Sequence, residues 1–121
     1  MTRVLVADDD SSLLELYEAI FVKHGFEVKV VLNGFEALNA LKESHYDLLL
    51  SDIKMPVMDG VELLAEIRKI DPRIPLVILV SGYSEFSEDD LMGKGANAFL
   101  SKPLKGSELI HKVNELLSLR N

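Results

Sequence analysis

Val4-Leu5-Val6-Ala7 is followed at once by Asp8-Asp9-Asp10, and then by Leu13, Leu14, Tyr17, Ile20 and Phe21. The first four residues are apolar without alternation, the pattern of a strand covered on both faces. The later set recurs at i, i+1, i+4, i+7 and i+8, which is one face of a helix. Asp10 or Ser11 suits the N-cap of that helix, and Gly25 suits its C-terminal stop. Strand, polar residues, amphipathic helix: the rest of the chain repeats this order.

Val28 to Leu32 predicts a second strand, with Asn33 capping a helix whose face carries Gly34, Ala37, Leu38 and Leu41. Leu48-Leu49-Leu50 predicts a third strand. Beyond a loop with Pro56 and Gly60, the residues Leu63, Leu64, Ile67 and Ile70 mark a third helix, stopped by Asp71-Pro72. Leu76 to Val80 is the most apolar strand, Ala98-Phe99-Leu100 is the fifth, and Leu109, Ile110, Val113, Leu116 and Leu117 line a last helix. The fourth helical stretch, Glu85 to Lys94, has only Phe86, Leu91 and Met92 as large apolar residues. Gly93 and Gly95 weaken it further, so a short, marginal helix is expected there. Alternating β and α elements predict an α/β fold: a doubly wound parallel sheet of five strands with helices on both faces.

Composition narrows the function. The 121 residues are read as a single domain over 1–121. There is no cysteine, which excludes a disulfide scaffold, a thiolate metal site and a thiol nucleophile. The longest purely apolar run, Leu76 to Val80, is far short of the ~20 residues that span a membrane. Thirteen Lys and Arg against twenty Asp and Glu give a net charge of −7, the wrong sign for a nucleic-acid footprint. No signal peptide is read at the start. The expectation is a cytoplasmic domain that binds neither membrane nor nucleic acid directly.

In a doubly wound sheet the ligand crevice lies at the carboxyl ends of the strands. Those ends carry Asp8, Asp9 and Asp10; Asn33 and Gly34; Ser51 and Asp52; Ser81 and Gly82; and Ser101, Lys102 and Pro103. Several carboxylates in one small pocket require a cation, because like charges at short range oppose ionisation. An all-oxygen donor set selects a hard cation, with Mg²⁺ the usual choice beside phosphate. A carboxylate there can act as a nucleophile toward phosphorus. A hydroxyl and an ammonium can hold the phosphoryl oxygens.

Asp8-Asp9, the segment from Leu48 through Asp52, Lys54 and Pro56 to Gly60, the Ser81-Gly82 pair, and Gly95 to Pro103 together resemble the receiver domain of two-component response regulators. The resemblance covers essentially the whole chain, and it implies the flavodoxin-like strand order 2-1-3-4-5 with five helices. It makes Asp52 the phosphoacceptor. Mg²⁺, or Mn²⁺ in its place, would be held by Asp9, Asp52 and the Lys54 backbone carbonyl, with Asp8 acting through water. Lys102 would pair with a phosphoryl oxygen across a cis Lys102-Pro103 peptide. Ser81 would hydrogen-bond the phosphoryl group, and Phe99 would be the aromatic that turns inward as Ser81 moves. The implied protein is a signalling switch that catalyses only its own phosphorylation and dephosphorylation. Its donor would be a sensor histidine kinase or a histidine phosphotransfer protein. Its output would be a downstream target protein or a fused output domain, met by the face of helix four, strand five and helix five. Ser81 and Phe99 stand where Thr and Tyr are common, and Lys54 and Tyr83 fall at variable flanking positions.

Plainer roles are open to several residues. Asp10 suits a helix cap, Asp59-Gly60 a turn, and Glu85, Glu88, Asp89 and Asp90 a solvated helix face. His24, His45 and His111 show no ligand spacing. Two rival functions are weighed. Asp8-x-Asp10 resembles the nucleophile motif of haloacid-dehalogenase-type phosphatases, but that reading leaves Asp52 and Lys102-Pro103 unexplained. A flavodoxin-like cofactor module would need a neutral or basic phosphate cradle, and the first loop here is triply acidic. The sequence leaves open whether the chain is a stand-alone receiver or part of a longer regulator.

Overall fold

A computed structural model describes residues 1–82 and 86–119. Tyr83, Glu85, Arg120 and Asn121 lie outside the described residues. Ten elements alternate: β1 (Arg3–Ala7), α1 (Ser11–Lys23), β2 (Glu27–Val31), α2 (Gly34–Glu43), β3 (Leu48–Asp52), α3 (Gly60–Ile70), β4 (Leu76–Ser81), α4 (Glu88–Gly93), β5 (Ala98–Ser101) and α5 (Gly106–Leu119). The strands form one parallel sheet in the order β2-β1-β3-β4-β5.

Side-chain alternation along the strands divides the core in two. Leu5, Leu49, Val77 and Leu79 face α2, α3 and α4, and meet Leu38, Leu63, Leu64, Ile67 and Leu91. Val4, Val6, Leu48, Leu50, Ile78 and Val80 face α1 and α5, and meet Leu14, Tyr17, Phe21, Leu109 and Val113. Because β1, β3 and β4 are covered on both faces, they read as unbroken apolar runs. β2 lies at an edge, so only Val31 of its five residues is fully buried.

Local signals set the helix starts. The Asp10 carboxylate accepts from the Ser12 and Leu13 N–H groups at 2.9 and 3.3 Å. Asn33 accepts from the Glu36 N–H at 2.9 Å. Asp59 opens α3 with a reciprocal pair to Glu62, and Ser87 opens α4 with a reciprocal pair to Asp90. Three details depart from the sequence reading. Leu32 falls outside β2 and is 48% exposed, because that strand begins one residue earlier, at Glu27. Ile70 is 63% exposed as the last residue of α3, and Ile67 is the last residue that helix buries. Both Ile74-Pro75 and Lys102-Pro103 are cis; only the second was expected.

Candidate functional site

The chain leaves β1 for β2 on one side, then places β3 on the other. An open parallel sheet has its crevice at such a reversal, at the carboxyl ends of the strands. Asp8 and Asp9 follow β1 there, and Asp52 is the last residue of β3. One carboxylate oxygen from each of the three lies within 4.8 Å of the others. Lys102, the first residue after β5, reaches across to them. Its Nζ stands 3.2 Å from Asp52 Oδ2 and 3.4 Å from Asp8 Oδ2.

The backbone orients these groups. Asp8 is only 1% exposed, and its Oδ1 accepts from the Asp10 N–H at 2.9 Å. Asp52 Oδ1 accepts from the Ile53 N–H at 2.9 Å. In both residues the backbone holds one oxygen and the Lys102 ammonium meets the other. Asp9 is exposed at the mouth, where a shallow cavity of about 430 Å³ is lined by Asp9, Lys54, Met55, Pro56 and Asp59. Ser81 closes β4, is buried, and accepts the Lys102 N–H on its backbone carbonyl at 3.0 Å.

The electrostatics follow from burial. Removal from water pushes the Asp8 carboxyl above its ordinary 3.8, against the opposing pull of the Asp10 N–H and of Lys102. Burial also opposes charge on Lys102. The Asp52 and Asp8 carboxylates outweigh it, so the ammonium is held above its ordinary 10.5. Three carboxylates facing one ammonium leave excess negative charge, and every candidate donor is an oxygen. That donor set fits a hard divalent cation.

The remaining predicted residues are placed as follows. Phe99 is half-buried on β5 and packs against the core facing α2, α3 and α4, outside the carboxylate cluster. Asp10 is committed to capping α1, and Asp59 to capping α3. The Asp8-x-Asp10 phosphatase reading therefore lacks its second group, because that carboxylate is turned to the helix N-terminus. The sequence reading took Tyr17 as core alone. It is buried on α1, and it lines a cleft of about 370 Å³ with Lys102, Pro103 and Leu104. A polar tip on an otherwise apolar helix face was the only signal for it.

A model of the response regulator receiver domain matches residues 4–114. The chain belongs to this family. Receiver domains are signalling switches of two-component response regulators, and the acidic pocket described above is of the kind that accepts a phosphoryl group. The receiver is 37% identical over 117 residues to a transcriptional regulatory protein, the CpxR homolog of Haemophilus influenzae; the match covers 97% of this chain and 51% of that protein. It thus spans about half the length of the curated relatives it matches. The receiver domain of Francisella response regulator 1452 superposes over 100% of both chains, with a TM-score of 0.92 and 32% identity. The receiver domain of the Pseudomonas aeruginosa sensor histidine kinase PA1611 superposes with a TM-score of 0.84 and 26% identity, covering 94% of this chain and 95% of that one. That structure has a magnesium ion coordinated in its active-site cleft. Among the described residues, no helix is long and apolar enough to cross a membrane.

Proposed function

We propose that Asp52 accepts a phosphoryl group from a phosphohistidine on a sensor histidine kinase or a histidine phosphotransfer protein. A carboxylate oxygen of Asp52 forms the new O–P bond as the N–P bond to the donor imidazole breaks, and the imidazole leaves with the electron pair and takes up a proton. The Ile53 N–H holds the other Asp52 oxygen during the attack. Lys102, already 3.2 Å from Asp52, follows the charge onto a phosphoryl oxygen. Mg²⁺, or Mn²⁺ in its place, bound by Asp9, Asp52 and the Lys54 carbonyl with Asp8 acting through water, would supply Lewis-acid stabilisation of the phosphoryl oxygens. The magnesium ion of the Pseudomonas receiver domain supports that assignment.

The output step follows from charge. A phosphoryl group adds about −1.5 to −2 charges at neutral pH. It draws the Ser81 hydroxyl and Lys102 toward Asp52, Phe99 turns inward, and the α4–β5–α5 face repacks for a downstream target or a fused output domain. The domain catalyses its own phosphorylation and dephosphorylation in the cytoplasm and turns over no other substrate. The convergence of Asp8, Asp52 and Lys102, with Asp9 open at the mouth, carries this reading. Intact-mass spectrometry after incubation with a small phosphodonor and Mg²⁺ tests it. Wild type should gain one phosphoryl group, and Asp52→Asn none. Equal gain in both proteins would remove Asp52 from the reaction, and undiminished gain in excess EDTA would remove the cation.

A further inference from the structure

The two ends of α4 are fastened differently. Its C-terminal end closes as a Schellman motif. The Gly95 N–H donates to the Met92 carbonyl at 3.0 Å, and the Ala96 N–H to the Leu91 carbonyl at 3.1 Å. Gly95 takes φ 105°, the left-handed conformation that this motif needs and that glycine adopts freely. Leu91 and Ala96, which the motif brings together, are both buried in the core facing α2 and α3.

Arg68, in the last turn of α3, holds this end from outside the helix. Its Nε donates to the Gly95 carbonyl and its Nη2 to the Pro75 carbonyl, each at 2.9 Å. Nη2 also donates to Asn97 Oδ1 at 3.1 Å, and Nη1 to the Asp71 carbonyl at 3.4 Å. Asn97 is joined in turn to β4: its Oδ1 accepts the Val77 N–H, and its own N–H donates to the Val77 carbonyl, each at 2.8 Å. One planar guanidinium thus ties the exit of α4 to the exit of α3 and the start of β4. The approach is close, since a Cβ on Gly95 would stand 2.9 Å from Arg68 Cγ. The acceptors are all neutral amide oxygens, and burial holds the guanidinium below its ordinary value, with Asp71 opposing. A rigid fork of donors fixes direction as well as distance.

At the N-terminal end the capping box of Ser87 and Asp90 joins residues of the helix only to one another. Phe86, just ahead of it, packs on the core but stays partly exposed. Apolar contact of that kind is non-directional and allows sliding. This end continues from β4, whose last residue is Ser81.

We propose that Arg68 is a positioning residue for the switch: it pins the C-terminal end of α4, so that α4 swings about that end and the movement falls on residues 87–90. Hinges are commonly a few residues at the end of an element, which is where Gly95 and Ala96 lie. The proposal rests on the reading that phosphorylation of Asp52 repacks the α4–β5–α5 face.

The chain has no cysteine, so introduced ones carry spin labels at chosen sites alone. Exposed Glu18 on α1 supplies a reference. One protein carries Glu18→Cys with Glu88→Cys, and a second carries Glu18→Cys with Lys94→Cys. Double electron–electron resonance reads both distances before and after a small phosphodonor with Mg²⁺, and intact mass counts the phosphoryl groups. With Arg68 present, the distance to 88 should shift by about 2 Å and the distance to 94 by less than about 1 Å, as for a helix hinged at one end. Arg68→Gln should release the second distance, which then shifts as far as the first. In unmodified Arg68→Gln, amides 94–97 should exchange about tenfold faster, the ratio set by an ordinary lost hydrogen bond, while those of β3 keep their rates. Should Arg68→Gln not fold, Arg68→Lys takes its place, since it keeps the charge and loses the fork.

A distance to 94 that moves with the distance to 88 while Arg68 is present would overturn the proposal. So would a folded Arg68 variant in which 94 stays still or amides 94–97 keep their rates. Both results leave the phosphorylation of Asp52 intact. A phosphorylated protein in which neither distance moves would overturn the repacking reading and the swing together. A protein that gains no phosphoryl group would overturn the Asp52 reading, and amide exchange in the unmodified variant would still decide the pin.

Discussion

α3 and α4 both open on a capping box, Asp59 with Glu62 in one and Ser87 with Asp90 in the other. From there they diverge. α3 runs eleven residues and buries Gly60, Leu63, Leu64 and Ile67. α4 runs six and buries Leu91 alone. α3 also ends with Arg68, whose guanidinium donates to the Gly95 and Pro75 carbonyls, each at 2.9 Å, and to Asn97 Oδ1 at 3.1 Å. The last turn of α4 has no basic residue, while its first turn is acidic throughout. A cap decides where a helix begins, whereas buried side chains decide how firmly it stays. α3 and the strands beside it form a fixed wall for the carboxylates. α4 is held by little more than one leucine, and elements that move in switching come from this weakly held end of a fold.

The largest test of this contrast pairs two leucines that are both fully buried. Leu63→Ala should lower global stability by about 3 kcal/mol, the ordinary cost of a core cavity, read as a shifted urea midpoint. Leu91→Ala removes the same atoms, but its loss should fall on α4. Amides of 88–93 should then exchange rapidly while those of β3 and α3 keep their protection. If Leu91→Ala lowers the midpoint as far as Leu63→Ala does, α4 belongs to the global cooperative unit and the contrast fails.

The caps give a smaller comparison. Asp59→Ala should cost about 1 kcal/mol of global stability, because an established helix loses a partner for its first N–H groups. Ser87→Ala removes the same kind of contact from a helix with little else to hold it. Exchange should accelerate across α4, while the midpoint moves by no more than about 0.5 kcal/mol. Equal midpoint shifts would show that the two helices are coupled to the core alike.

The sequence made this asymmetry partly visible, for reasons that depend on range. The weakness of α4 could be read because few apolar residues and two nearby glycines are local facts. The central strands could be read because burial on both faces leaves unbroken runs such as Leu48 to Leu50. Asp8, Asp9, Asp52 and Lys102 could be placed at one end of the sheet from topology alone. Asp59 and Asp90 were read only as a turn residue and a solvated acid, although the spacings Asp59-x-x-Glu62 and Ser87-x-x-Asp90 carried the capping signal. Other features had no local signal. The positive φ of Val57, 71°, opposes that residue's own preference, and the carbonyl of the next residue, Met58, accepts from the N–H of Gly34, which is distant in sequence. The Arg68 clamp spans the α3–β4 and α4–β5 loops, so it exists only once the sheet is assembled.

The smallest effect concerns how the weakly held side is tied to the firm one at the acidic end. Lys102 follows β5, and its ammonium meets Asp8 and Asp52 on the opposite side of the crevice. Burial disfavours that charge, but the two carboxylates more than offset it and raise the Lys102 value above 10.5 in the fold. A cation whose folded value is raised contributes its full stability below the unfolded value. It loses that contribution as pH climbs through the higher folded one. In metal-free buffer, the urea midpoint of wild type minus that of Lys102→Gln should therefore be constant at neutral pH and decline above pH 10.5. Taking the difference cancels the titration of the other lysines and of the remaining tyrosines; Tyr17, whose charge couples to that of Lys102, is removed by making the comparison in a Tyr17→Phe background. The sign matters: a difference that grew with alkaline pH would mean that burial outweighs the two carboxylates, and the ammonium would then strain the acidic end instead of binding β5 to it. A decline would identify Lys102 as a charge-dependent tie between the firm wall and the weakly held side, placed where a phosphoryl group on Asp52 would compete for the same ammonium.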